Sequence, residues 1–151
     1  MSLHDDAGTV YRHLVDAVVR RGKVTTRGAV SAATGVPMGP EGRHMTRVLD
    51  HLFRLSDERQ IPPITAVVVE RESEYDYNEH GVVGAGYLAA EARSPNRAGR
   101  YRPESFTARV AAGPLTFDAD EVMTRFREMI ERHQESVWAC ARWPVEIGTP
   151  A

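Results

Sequence analysis

The chain has 151 residues, 42% hydrophobic and 26% charged, with a formal net charge of −2. A chain of this length buries roughly 68–70% of the surface that its unfolded form exposes, so a single domain with one core is expected over 1–151. No apolar run approaches the ~20 residues that cross a bilayer. The N-terminal MSLHDDAG has neither a basic nor an apolar signal region, which predicts a cytoplasmic protein with no membrane partner.

The one cysteine, Cys140, excludes an internal disulfide, and no Cys/His spacing matches a zinc site, so neither metal nor cofactor is expected. Lying between Trp138 and Trp143, Cys140 reads as a structural thiol. Basic charge comes from eighteen arginines and a single lysine, Lys23. Lys and Arg stand against Asp and Glu at nine to five over 11–59, one to six over 60–92 and nine to eight over 93–151. That asymmetry is compatible with one face meeting phosphate while another repels it.

Residues 6–21 set Val10, Leu14, Ala17 and Val18 at helical spacing, with Gly22 in the position of a C-terminal cap. Lys23 and Val24 form a short extended segment. Thr25 or Thr26 then caps a second helix over 27–34, ended by Gly35 and stopped by Pro37. After the turn MGPEGR a third helix runs from Glu41 to Arg59. Met45, Val48, Leu49, Leu52 and Leu55 fall on one side of it, and Arg43, Arg47 and Arg54 line up on the other. The basic stripe is either a solvated face, with His44, Asp50 and His51 interspersed, or a surface that meets phosphate.

IPPITAVVVERE is a β-branched run that predicts a strand. Beyond SEYDYNEHG, VVGAGYLA reads as a second strand or a glycine turn, and the two are expected to pair as an antiparallel hairpin. Residues 93–117 lack periodicity and predict a long loop, with arginines at 93, 97, 100, 102 and 109 and Tyr101 among them. Asp118 and Glu121 have capping-box spacing and open a C-terminal helix over 118–140. Its apolar stripe is Val122, Phe126, Met129, Ile130, His133 and Val137, leading to Trp138. The tail PVEIGTPA is expected to fray.

In this order Val24, Thr25 and Thr26, then Gly28, Gly35, Arg43 and the turn Gly84, Gly86, Tyr87 are similar to a known frame. They resemble the C-terminal winged-helix domain of the alkylguanine-DNA alkyltransferases and their catalytically inert alkyltransferase-like relatives, over about residues 18–88. The resemblance implies an α+β fold with a winged-helix-like core over 6–92, a small antiparallel sheet and a long C-terminal helix. It implies non-catalytic docking on duplex DNA, with Arg43 where the family has its base-displacing arginine and Tyr87 near the substrate pocket. Arg27 stands where the family has a tyrosine. ITAVVVER occupies the active-site strand, so Val68 and Val69 fill the approximate positions of the reactive cysteine and its histidine, and no alkyl-accepting thiol is present. GVP, PPITAVVV and VGAGYL are also similar to small bacterial and phage proteins, a likeness that carries no mechanism.

The nucleic-acid candidates are therefore Thr26 and Arg27 at the start of the second helix, Arg43, Arg47 and Arg54 on the third, and Tyr87 in the glycine turn. Arg100, Tyr101 and Arg102 add a loop able to clamp or stack on a strand. Lys23, Arg20 and Arg21 would make salt-dependent phosphate contacts at the edge. Two other readings stand beside this one. Glu70, Glu72, Glu74, Asp76, Glu79 and His80 could hold a divalent metal or do acid–base work, although charge in a hairpin loop is the ordinary explanation. Lys23 has no carboxylate two residues before it, which argues against an Asp/Glu-x-Lys nuclease. No nucleophile elbow, phosphate loop or dinucleotide fingerprint is present, and no residue is assigned a catalytic role. The third reading is an interaction module, a homodimer or small inhibitor, presenting Trp138 and Trp143 on the C-terminal helix, against which core packing competes.

Overall fold

A computed structural model describes residues 2–69 and 127–147. Helix α1, Leu3–His13, starts three residues before the expected boundary because Ser2 and Asp5 form a capping box. The Ser2 hydroxyl accepts the Asp5 N–H at 3.1 Å, and the Asp5 carboxylate accepts the Ser2 N–H. The helix continues as a π turn over Leu14–Val18 and a 3-10 turn over Val19–Arg21. A π turn inserts one residue and re-aims the face that follows it. Val15 and Val19, outside the predicted stripe, thereby join Leu14 and Val18 in the core, while Ala17 is only partly buried. Gly22 ends the run at φ 62, where the Lys23 N–H reaches the Val18 carbonyl at 3.1 Å.

Strand β1, Thr25–Thr26, leads directly into α2, Arg27–Thr34. The Thr26 hydroxyl caps α2 by accepting the Ala29 N–H at 3.1 Å, and Gly35 at φ 78 closes its other end. Residues 35–42 connect α2 to α3, Arg43–Glu58. The connection ends in a 3-10 turn, Pro40–Gly42, within which Glu41 is left-handed at φ 56. That conformation is why α3 begins at Arg43 and not at Glu41. Met45, Val48 and Leu52 are fully buried, Phe53 nearly so, and Leu49 and Leu55 pack against them.

Two expectations for the following segment are corrected. Ile64–Val67 is a 3-10 turn, closed by the Ala66 N–H on the Pro63 carbonyl at 2.9 Å, and only Val68–Val69 forms the described strand β2. Every residue from Pro63 to Val69 is buried, so packing decides the backbone here and β-branched preference does not. The described sheet is also parallel, not antiparallel, with Thr25 opposite Val68 and Thr26 opposite Val69. Its strands are joined through α2 and α3, and a helical crossover returns the chain in the same direction. The expected hairpin partner over 81–88 lies outside the described residues.

Helix α4, Arg127–Ala139, buries Ile130, His133, Gln134 and Val137. Its expected start at 118 lies outside the described residues. Gln134, which the apolar stripe omitted, donates Nε2 to the Ala66 carbonyl at 2.9 Å and so fixes the helix against the 3-10 turn. The Trp138 indole N–H donates to the Lys23 carbonyl at 3.0 Å. The tail is held as far as Ile147, against the expectation of fraying. Ile147 is buried, Arg59 donates to the carbonyls of Glu146 and Ile147 at 3.3 Å, and the Tyr11 hydroxyl donates to the Pro144 carbonyl.

Candidate nucleic-acid interface

An α-helix turns about 100° per residue, so positions 43, 47 and 54 fall within an arc of about 40° on α3, and position 51 extends it to about 80°. Arg43, Arg47 and Arg54 are all exposed, on the side opposite Met45, Val48 and Leu52. The apolar side fixes the helix, and the arginines follow as its outer stripe.

Each arginine has its own surroundings. The Arg43 guanidinium lies 3.0 Å from the Glu41 carboxylate, with side chains 68% and 76% exposed, so water screens the pair and it contributes little to stability. Arg54 donates Nη2 to His51 Nδ1 at 2.6 Å. His51 Nε2 in turn lies 3.2 Å from His4 Nδ1 on α1, with the two rings edge to face. His51 is held below the usual histidine range by partial burial, then by the Arg54 charge and by His4, with Glu58 acting in the other direction.

The first turn of α3 is anchored. His44 Nε2 lies 2.7 Å from the buried Asp6 carboxylate on α1. Gly39 adopts φ 76 and ψ 171 directly before this turn, and its Cα lies so close to His44 that an added Cβ would meet the His44 Cβ at 2.7 Å.

Thr26 and Arg27 are half-buried and engaged within the fold. The Thr26 hydroxyl caps α2, and Arg27 donates Nη1 to the Thr46 hydroxyl at 2.9 Å, bridging the start of α2 to α3. Arg20 pairs with Asp16 at 3.5 Å on the surface, while Arg21 and Lys23 are exposed. Val68 and Val69, at the approximate positions of the alkyltransferase cysteine and histidine, are buried and apolar. Tyr87, Arg100, Tyr101, Arg102 and the acidic run from Glu70 to His80 lie outside the described residues. Among the described residues no group of three or more His, Cys, Asp or Glu is placed to hold a metal ion, and no helix is long and apolar enough to cross a membrane.

Sequence reading missed the histidine pair. The spacing of His51, four residues after Arg47 and three before Arg54, already placed it in the stripe. His4 gave no signal, since it precedes the expected start of α1 and meets His51 only across 47 positions of chain. Comparison with protein-family models, curated proteins and solved structures returned no match.

Proposed function

We propose that this protein binds nucleic acid, in the first instance duplex DNA, through the outer face of α3, and does so without catalysis. The observation that carries the reading is the exposed stripe Arg43, Arg47, Arg54 on a helix whose opposite side buries Met45, Val48 and Leu52. Such a helix offers guanidinium groups to backbone phosphates and to guanine edges at fixed spacing. The connection between α2 and α3 spans residues 35–42, longer than the 3–4 residues typical of a helix-turn-helix. Beside its buried apolar side, α3 is tied to α2 by Arg27–Thr46 and to α1 by His44–Asp6.

The alkyltransferase-like resemblance assigns Arg43 to the space of an extruded base, an event that is least costly at a damaged or mismatched pair. Buried Val68 and Val69 offer no nucleophile for alkyl transfer, in keeping with a reader and not a repair enzyme. A self-association surface on Trp138 and Trp143 has less support. The Trp138 indole N–H is bonded to Lys23, and Trp143 packs edge-on against Tyr11 at 6.5 Å.

Fluorescence anisotropy with plain and alkylguanine-containing duplexes at two salt concentrations tests the proposal. Binding should weaken with salt, and removing one arginine should lower the slope of log K against log salt by about 0.9 for each phosphate that is no longer neutralised. Preference for the lesion, abolished in Arg43→Ala, would support the base-site role. Absence of binding to every duplex at low salt would dismiss the reading.

A further inference from the structure

We propose that His4, His51 and Arg54 form a phosphate subsite at the seam of α1 and α3, and that filling it takes up one proton at His51. This rests on the reading of α3 as the nucleic-acid-facing helix and adds a regulated contact to it.

The hydrogen-bond geometry fixes the free state. A guanidinium can only donate, so the Arg54 contact requires His51 Nδ1 to accept. A neutral His51 then carries its proton on Nε2, which points at His4 Nδ1. The chain of donors runs Arg54 to His51 to His4, and His4 retains an N–H on Nε2. Arg54 is thus a permanent cation whose partner among the described residues is a neutral ring and not a carboxylate. Two imidazoles and a guanidinium converge with no anion bonded to them among the described residues, at the edge where the stripe of Arg43, Arg47 and Arg54 meets α1.

A phosphate oxygen supplies the missing charge. Once Arg54 turns an N–H to the phosphate, His51 Nδ1 is released, takes a proton from solvent and becomes a second donor to the same anion. The charged and titratable groups acting on His51 are Arg54 and Glu58 on its own helix and His4 on α1. Partial burial, then Arg54 and His4, disfavour the imidazolium in the free protein, and the negative charge of a bound dianion or diester acts against all three. A histidine charge on this stripe is therefore coupled to occupancy of the stripe.

The test is an NMR pH titration of the full chain labelled at histidine, alone, with inorganic phosphate and with a duplex, using His51→Gln to assign the resonance. Duplex affinity is measured in parallel at about pH 5.5 and about pH 7.5. The expected results are a rise in the His51 pKa of about one unit on binding, an affinity that increases up to about tenfold on acidification, and a flat profile in His51→Gln. Arg43→Ala should weaken binding at both pH values and keep the dependence. An unchanged His51 pKa with both ligands, or an equal pH profile in wild type and His51→Gln, overturns the subsite even if the duplex binds. A pKa raised by inorganic phosphate without duplex binding at any pH supports the subsite and removes the nucleic-acid reading. Unchanged thermal unfolding of His51→Gln at neutral pH establishes that the variant is folded.

Discussion

His44 on α3 and Asp6 on α1 meet at 2.7 Å, and this contact, beside the buried Met45 and the Arg27–Thr46 bond, ties the turn that carries Arg43 to α1. Asp6 is only 5% exposed, so removal of its partner leaves a carboxylate with little water to replace the bond. Leaving a buried polar group unsatisfied costs about 1–3 kcal/mol, more for a charge. His44→Ala should therefore lower the melting temperature by about 2–4 °C for each kcal/mol of destabilisation in a domain of this size. Asp6→Ala should cost less, because His44 is partly exposed and can turn to water. A double-mutant cycle followed by thermal unfolding checks the pair, and non-additivity is the expected sign of direct coupling. If the double variant equals the sum of the singles, the contact does not hold α3 to α1.

Gly39 and Gly28 should respond in opposite ways to the same substitution. The φ 76, ψ 171 conformation of Gly39 belongs to a region essentially confined to glycine, and an added Cβ meets the Cβ of the anchored His44 at 2.7 Å. Gly39→Ala should destabilise by about 1–3 kcal/mol and displace the first turn of α3. Gly28 lies in α2 with nothing within 4 Å of an added Cβ. Gly28→Ala should stabilise by about 0.4–1 kcal/mol, chiefly by restricting the unfolded chain. Urea midpoints of the two variants give the comparison directly.

The helices were legible because each carries its signals within a few residues. Thr26 and Gly35 bracket α2, Gly22 ends the first helical run, and the 3.6-residue spacing of Met45, Val48, Leu49, Leu52 and Leu55 gives the buried side of α3. What was not legible depends on partners distant in sequence. The parallel register of Thr25 with Val68 follows from the path of the intervening helices, and the His4–His51 contact spans nearly a third of the chain. Glu41 misled for another reason: its side chain suits a helix start, while the glycines flanking Pro40 and Glu41 allow a left-handed turn there. Of the site itself, the arginine stripe on α3 was readable and the histidine seam was not.

The docked tail should be a measurable part of the fold. Ile147 is buried, and Arg59 holds the two carbonyls at 146 and 147 from the end of α3. Truncating a buried isoleucine to alanine costs about 2–5 kcal/mol. Ile147→Ala should fall in the lower part of that range, since the exposed neighbours Val145 and Glu146 let the segment shift to close the cavity. A chain ending at residue 143 should be destabilised at least as much. Equal urea midpoints for wild type and Ile147→Ala would show that the segment contributes nothing in solution.

Alkaline unfolding should report on Tyr11. Its hydroxyl donates to the Pro144 carbonyl and its ring is enclosed beside Trp143, so ionisation would strand a phenolate in a site that accepts only the neutral form. Burial pushes its pKa up to about 12, with Cys140 adding to the rise and Arg59 opposing it. In the unfolded chain the group ionises near 10. Between these values the folded state holds a proton that the unfolded state has released, so stability decreases as pH rises. The contribution is fully present below about pH 10 and is lost as pH climbs through about 12. Tyr11→Phe cannot ionise and forfeits the bond to Pro144. It should therefore be less stable than wild type at neutral pH and show a shallower decline above about pH 10. Thermal unfolding of both proteins from about pH 8 to about pH 11.5, with phenolate absorbance recorded in parallel, separates the two effects. Parallel stability curves for wild type and Tyr11→Phe over that window would mean that Tyr11 does not control the alkaline limit.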